Sequence, residues 1–311
     1  MRGTLGVPKS EFFPYGGDLN ENNQRLGTGD NSHGCIFLHQ LFHFCGKTFL
    51  DLCVGIDGGI SFGNRPIAYT RQSFPLGGDS HLIAPFFSDI NTESQGAVWF
   101  RESEVSELLA KADDCVKQGF PSSSFSATHL IIATWDNVSA SDTPDGMGNT
   151  FQVVLATCGR ETYALFFYAD NGIQWGSSSG ILAQAGASCG GSVRGLRGSG
   201  SNEVVNLDGN TNVGEKGKYV ICLNDISVPV CDVQEVIVSV TKRRRNAAVT
   251  FSASPSQADA TFECSLDGDD FQPCESPMTY RRLSRGDHFI IVRALCPGST
   301  SGPMKREDFS I

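Results

Sequence analysis

Eleven cysteines among 311 residues are the feature that most constrains how this chain can fold. A reducing cytosol tolerates so many cysteines mainly where they bind metal, and such sites usually carry Cys-x-x-Cys pairs. No such pair occurs in the sequence. The cysteines therefore indicate disulfide bonds formed in an oxidising compartment. Because their number is odd, at least one is left free or pairs with another chain.

The length and charge of the chain limit its domain number and its partners. A chain of 311 residues exceeds the usual size of one domain, so we expect two. The net charge of -10 argues against nucleic acid or an anionic membrane as partner, since both would be repelled. No window approaches the 18 apolar residues of a membrane span, and residues 1–8 are not apolar enough for a signal peptide. With this cysteine content, we expect an incomplete N-terminus or an excised fragment.

Alternating and apolar runs predict a mainly β chain. Residues 49–56 place Leu50, Leu52, Val54 and Ile56 on one face, which predicts a half-buried strand. Runs rich in β-branched and aromatic residues predict further strands at residues 130–135, 151–157 and 162–168. The last run is apolar on both faces, so we expect it to lie centrally between two layers.

One segment has the spacing of a helix with a single buried stripe. Its apolar positions are Val105, Leu108, Leu109, Ala112, Cys115 and Val116. Ser103 is the expected N-cap, and Lys117, Gly119 and Pro121 are expected to end the helix.

The pattern changes after Asp225. Residues 225–232 predict a short extended linker, and new strands are expected from about Val233. Alternating positions separated by closely spaced turns predict a small β-sandwich there: Val236, Val238 and Val240; Val249, Phe251 and Ala253; Phe262, Cys264 and Leu266; Phe289 and Ile291.

Residues 11–224 contain a series of motifs in a fixed order. They are Phe12-Phe13-Pro14-Tyr15-Gly16, Phe44-Cys45-Gly46-Lys47, Gly58-Gly59-Ile60-Ser61-Phe62, Ile83-Ala84-Pro85-Phe86-Phe87-Ser88-Asp89-Ile90, Ala133-Thr134-Trp135-Asp136, Asn149-Thr150-Phe151-Gln152-Val153-Val154-Leu155-Ala156-Thr157, Ala183-Gln184-Ala185-Gly186 and the tail from Asn206 to Val220. In this order they resemble the NIDO (nidogen-type) domain family of extracellular proteins. Where that family often shows an Asn-Asn-Asn-Gly turn, this chain has Ile56-Asp57-Gly58-Gly59, which still supplies a glycine for positive φ. The resemblance implies a NIDO β-sandwich with one helix.

Residues 233–311 are similar to an Ig-like module, through the runs Phe262-Glu263-Cys264-Ser265-Leu266-Asp267-Gly268 and Phe271-Gln272-Pro273-Cys274. This similarity implies a smaller C-terminal Ig-like β-sandwich after the linker. Cys264 and Cys274 flank a turn signal, so a disulfide closing this hairpin is expected. Cys231 and Cys296 are candidates to tie the ends of the module together.

Three features predict sites on the surface. Asn137 opens the glycosylation sequon Asn137-Val138-Ser139, just after a predicted strand where a loop is expected. A cationic run can match several sulfates of heparan sulfate, although such runs are also typical of solvated turns; it comprises Lys242, Arg243, Arg244 and Arg245. The integrin tripeptide Arg285-Gly286-Asp287 lies in a predicted turn, and turn chemistry alone can also produce it.

Other patterns fall short of catalytic or metal sites. The hydrolase-like run Gly176-Ser177-Ser178-Ser179-Gly180 has no evident helix after it, and His288 lies in the other predicted domain. Zinc is suggested by His33, His39, His43, Cys35 and Cys45, but these residues fall on a predicted strand whose alternate positions pack a core. Asp208, Asn210 and Asn212 imitate an EF-hand loop that then lacks its glycine and glutamate. We therefore predict no catalytic residue, no metal and no cofactor.

The resemblance implies a function carried by exposed surfaces. It implies a non-enzymatic extracellular or cell-surface protein in cell-matrix adhesion or matrix organisation. Its expected partners are matrix proteins or glycans, with an integrin and heparan sulfate as candidates. The alternative is a ligand-binding ectodomain fragment of a surface receptor or immune-recognition protein, because the same modules occur there.

Overall fold

The computed structural model describes residues 6–17, 19, 23–63, 66–67, 69, 73–76, 78–140, 142, 146–226, 235–254, 261–295 and 303–311. The chain divides into two compact units, the first built mainly from residues before 227 and the second mainly from residues after 234. Most of the predicted linker, residues 227–232, lies outside the described residues. The boundaries predicted for the two domains therefore stay predictions.

Most of the regular secondary structure of the first unit is β-strand. Its described residues form one α-helix, α1 (Ser106–Gly119), and the strands β1 (Gln24–Arg25), β2 (His33–Phe44), β3 (Lys47–Gly55), β4 (Gly59–Phe62), β5 (His81–Phe87), β6 (Ile90–Asn91), β7 (Ala97–Ser103), β8 (His129–Ala140), β9 (Asn149–Thr157), β10 (Thr162–Tyr168), β11 (Ser177–Ser178), β12 (Ile181–Leu182), β13 (Gln184–Cys189), β14 (Ser192–Gly195) and β15 (Lys218–Cys222). Two short 3₁₀ helices, Lys9–Glu11 and Asn202–Asn206, complete the described elements.

Two antiparallel sheets enclose the core of this unit. Sheet A has the order β1-β7-β8-β9-β10-β15, with β6 also paired to β8, and sheet B has the order β14-β13-β5-β4-β3-β2. Apolar residues of both sheets share one buried cluster, in which the rings of Phe86 and Phe151 lie 5.5 Å apart. Every residue of β10 is buried, as its two apolar faces predict. The mainly β fold expected from the sequence is confirmed.

The outer face of sheet A is covered by α1 and by the segment around Phe13. Gln152 of β9 is fully buried on this face, and its side-chain amide bonds both backbone groups of Phe13, at 2.8 and 2.9 Å. On α1 the buried residues are Ala112, Cys115 and Val116, which belong to the predicted stripe. This helix of 14 residues is not long and apolar enough to cross a membrane, and the same holds for every helix among the described residues.

The predicted start of the helix is wrong. Ser103 is the last residue of β7, where it pairs with Leu130 of β8, and the helix begins at Ser106. The hydroxyl oxygen of Ser103 still accepts a hydrogen bond from the amide of Val105, at 3.4 Å. Ser103 therefore belongs to the strand ladder of sheet A, and not to the start of the helix as the capping pattern predicted.

A tight turn joins β3 to β4 and depends on Gly58. This residue has a φ of +79°, and a Cβ added to it would lie 1.8 Å from the carbonyl oxygen of Phe86. Both the backbone conformation and the close approach require glycine. The turn therefore keeps the glycine expected from the family pattern.

The second unit consists of seven described strands in two sheets. The strands are β16 (Glu235–Arg243), β17 (Asn246–Ser254), β18 (Thr261–Leu266), β19 (Gln272–Cys274), β20 (Met278–Tyr280), β21 (Asp287–Leu295) and β22 (Met304–Ser310). Sheet C has the order β16-β17-β20, and sheet D has the order β19-β18-β21-β22. Val249 of sheet C and Val292 of sheet D belong to the same buried cluster, so the two sheets share one core.

Candidate functional site

The cationic run predicted from the sequence forms the tip of a β-hairpin. Lys242 and Arg243 end β16 and pair with the first two residues of β17, while Arg244 and Arg245 make the turn. Arg244 has a φ of +55°, in the left-handed region that a tight hairpin turn needs. All four side chains are exposed. No residue of the second unit that the structure describes therefore covers the charge.

A second basic segment lies against this hairpin. The amide of Leu283 donates to the carbonyl oxygen of Arg245 at 2.9 Å, and Nε of Arg245 donates to the carbonyl oxygen of Leu283 at 2.8 Å. The amide of Arg282 donates to Oδ1 of Asn246 at 3.1 Å. These contacts fix the loop at residues 281–286, with its exposed Arg281, Arg282 and Arg285, beside the hairpin tip.

We call the combined cluster the basic surface. It consists of Lys242, Arg243, Arg244, Arg245, Arg281, Arg282 and Arg285. Sequence reasoning missed the contribution of Arg281 and Arg282, although three arginines within five residues were a visible signal. Only the fold shows that the two segments, about 40 residues apart in sequence, are neighbours.

The charges of the basic surface are not neutralised by ion pairs within the described part of the chain. Asp267 and Asp287, two carboxylates of the same unit, have partners of their own. Oδ2 of Asp267 lies 2.6 Å from Nδ1 of His288, and Oδ1 of Asp287 accepts a hydrogen bond of 2.6 Å from the Ser310 hydroxyl. Planar guanidinium groups bind sulfate and phosphate through two parallel hydrogen bonds, so this surface suits a polyanion.

The integrin tripeptide lies at the entry to a strand. Arg285 and Gly286 are exposed in the loop, and Gly286 has a φ of +135°. Asp287 is the first residue of β21 and pairs with Ser310 of β22. The predicted turn therefore ends at Gly286. The carboxylate of Asp287, which follows, is held by Ser310 of β22.

The glycosylation sequon occupies a different place from the one expected. Asn137 lies inside β8, which continues to Ala140, rather than in a loop after the strand. The register of β8 against β9 shifts between Trp135 and Val138, and this bulge gives Asn137 a φ of +55° and an exposed side chain. A bulge turns one residue out of the ladder, which is why a residue within a strand is exposed.

Disulfide bonds are present in both units. Cys264 and Cys274 are bonded across β18 and β19, at the hairpin where the sequence suggested a disulfide. The first unit has two disulfides whose partners the sequence left open, Cys35–Cys53 and Cys45–Cys189. Cys231 and Cys296 lie outside the described residues. Free thiols in the described part of the chain belong to Cys115, Cys158 and Cys222.

The patterns rejected in the sequence have structural roles. Ser178 lies in the two-strand hairpin of β11 and β12, where its hydroxyl donates to Oδ1 of Asp142 at 3.1 Å, so no strand-to-helix elbow presents it. Asn212 of the EF-hand-like run bonds both backbone groups of Val220, each at 2.9 Å. The side-chain amide of Asn212 thus holds the edge strand β15 in place.

Comparison with known proteins identifies the first unit. A family model described as "Nidogen-like domain" matches residues 51–223. Nidogen-2 of Mus musculus is 39% identical over 177 residues, which cover 53% of this chain and 12% of that protein. Nidogen of Drosophila melanogaster is 33% identical over 207 residues, covering 63% and 15%. Alpha-tectorin of Homo sapiens is 32% identical over 228 residues, covering 68% and 10%.

The chain spans 15% or less of the length of each of these relatives. The family match, in contrast, covers more than half of the chain itself. It runs from β3 to β15 and includes α1, so it takes in strands of both sheets of the first unit. The chain therefore belongs to the nidogen-like domain family.

Proposed function

We propose that this chain is a non-enzymatic module of the extracellular matrix that takes part in cell-matrix adhesion, and that its basic surface binds a sulfated glycan of the heparan sulfate class. Similarity to nidogens supports the matrix setting. Disulfide bonds in both units support an oxidising, extracellular compartment. In this proposal the second unit, with seven strands in two sheets around one core, is the Ig-like module expected from the sequence.

The observation that carries the glycan proposal is the junction of the hairpin with the loop. It places seven exposed cations at one end of the second unit, in a chain whose net charge is -10. A local positive surface attracts a flexible anionic chain, whereas the negatively charged remainder of the protein repels it. Several weak charge contacts then act together, and salt weakens all of them.

Binding to immobilised heparan sulfate tests this proposal. Arg243→Glu/Arg281→Glu changes one residue in each basic segment, and both positions are exposed and lack a positive φ. Arg197→Glu/Lys305→Glu makes the same change in net charge at exposed positions outside the basic surface, so it is the matched control.

We expect saturable binding by the unmodified chain and by the control, and a loss of about tenfold or more in the first variant, since each charge contact is worth about 1 kcal/mol. The affinity should fall as salt is raised from about 0.05 to 0.15 M. Equal losses in both variants would show that total charge alone is responsible, and the basic surface would not be the site. A duplex DNA of similar charge is included to show whether any polyanion suffices.

Integrin binding through Arg285-Gly286-Asp287 is a second proposal, supported by the exposure of all three residues. Asp287→Glu keeps the charge and lengthens the side chain by one methylene. We expect integrin-bearing cells to adhere to the unmodified chain and not to this variant, while Arg243→Glu/Arg281→Glu keeps cell adhesion. Equal adhesion to all three proteins would reject the tripeptide as an integrin site.

A further inference from the structure

A cluster of two histidines and a glutamate lies where the two sheets of the first unit meet at one end of the core. Nδ1 of His39 is 2.8 Å from Oε2 of Glu102, and Nε2 of His129 is 2.9 Å from Oε1 of the same carboxylate. The ligand atoms of all three residues lie within 4.8 Å of one another. The cluster thus holds two imidazoles and one carboxylate around a small common space.

The fold explains how residues so far apart in sequence come together. On β7 and β8 of sheet A, Glu102 and His129 continue the rows of buried Phe100 and Ile131, which face sheet B. On sheet B, the register between β2 and β3 shifts between Phe37 and Phe42, in the stretch that contains His39. His39 has no partner in the ladder to β3, and its amide donates to Oε1 of Glu102 at 3.2 Å.

Both ring nitrogens of the buried His129 face carboxylates. This side chain is only 3% exposed, and Nδ1 lies 3.0 Å from a carboxylate oxygen of Glu104, while Nε2 faces Glu102. In this arrangement Nε2 can bind a metal ion together with Glu102, while Nδ1–H donates to Glu104.

The residue types fit zinc. Zinc in proteins is bound by imidazole nitrogens and carboxylate oxygens at about 2.0–2.2 Å, so neighbouring ligands of a tetrahedral ion stand about 3.3 Å apart. The two nitrogen-to-carboxylate separations of 2.8 and 2.9 Å are about half an ångström shorter than this, and all three ligand atoms lie within 4.8 Å of one another. A carboxylate that accepts the other ring N–H of a zinc-bound histidine is a common outer partner, and Glu104 has that position.

We propose that His39, Glu102 and His129 form a zinc site in which Glu104 orients His129. The ion would connect β2 of sheet B to β7 and β8 of sheet A. Three protein ligands leave a fourth position for water or for a side chain of a partner. His39 is 78% exposed, so this position faces an open cleft that solvent can reach.

Zinc titration of the complete chain, with any polyhistidine tag removed, tests the proposal by calorimetry and thermal unfolding. His39→Gln removes a ligand at an exposed position where folding should tolerate the change. His33→Gln is the matched control, because His33 is an exposed histidine on the same strand outside the cluster. Glu104→Gln tests the orienting role.

We expect one zinc ion per chain, and at 100 times the dissociation constant a rise of about 5–10 °C in the melting temperature that EDTA reverses. Affinity should fall about tenfold or more in both His39→Gln and Glu104→Gln and stay unchanged in His33→Gln. Absence of zinc binding by the unmodified chain, or unchanged affinity in His39→Gln, would overturn the proposal. Cobalt bound in the same place should give the intense visible bands of a tetrahedral ion, and octahedral bands would count against this ligand set.

Discussion

The disulfide Cys45–Cys189 should be the strongest covalent support of the first unit. It joins the turn between β2 and β3 to the end of β13, across 144 residues of sequence. In the chain-entropy model, a crosslink closing a loop of this length stabilises the folded state by about 5 kcal/mol. Cys35–Cys53 spans 18 residues, for which the same model gives about 3 kcal/mol.

The double variants Cys45→Ala/Cys189→Ala and Cys35→Ala/Cys53→Ala compare the two crosslinks directly. Each variant removes one buried half-cystine, Cys189 or Cys53; of their partners, Cys45 is partly buried and Cys35 is exposed. Urea unfolding followed by tryptophan fluorescence reports the first unit alone, since the three tryptophans are Trp99, Trp135 and Trp175.

We expect the free energy of unfolding to fall by about 5 kcal/mol in the first variant and about 3 kcal/mol in the second. In the chain-entropy model, the order of the two losses follows from the lengths of the closed loops. An equal or larger loss on removal of Cys35–Cys53 would refute the loop-length explanation.

Three further predictions concern single residues. Gln152→Ala should lower the free energy of unfolding in urea by about 2–4 kcal/mol, because both backbone groups of Phe13 lose a buried partner; a loss below about 1 kcal/mol would contradict this role. Burial raises the pKa of Asp57 to about 7, so the folded state holds a proton that the unfolded state releases near pH 4. Stability should therefore fall as pH rises from about 4 to 7, by at most about 4 kcal/mol, and Asp57→Asn should flatten the profile; parallel profiles for the two proteins would reject this. Ser139→Ala destroys the sequon without changing Asn137, so a chain secreted by animal cells should lose the mass of one N-glycan, and an unchanged mass would reject glycosylation there.

Local patterns were enough to predict the element types. Residues 162–168 are rich in β-branched and aromatic residues and apolar on both faces, which predicted a strand buried on both faces, and every residue of β10 is buried. The helical stripe around Ala112 predicted α1. The predictions that proved wrong concern positions where two local preferences compete. Ser103 can cap a helix but is taken by the ladder to Leu130, and Asn137 lies in a strand that a bulge allows to continue.

The candidate sites depend on contacts that no local pattern encodes. Arg245 meets Leu283 across 38 residues, and Glu102 meets His39 across 63. The sequence placed His39 in a zinc pattern with Cys35 and Cys45, but both of these cysteines are in disulfides. In the structure, His39 instead lies beside Glu102 and His129 of the facing sheet. Pairing of cysteines was open for the same reason, since spacing does not fix which distant residues meet.

Retention in a matrix laid down by cultured cells tests most directly whether this chain is a matrix module. The purified chain is added in increasing amounts at physiological salt, before and after heparinase digestion of the matrix. We expect saturable retention, most of which heparinase removes for the unmodified chain and for Arg197→Glu/Lys305→Glu. No saturable retention on the undigested matrix would contradict the claim.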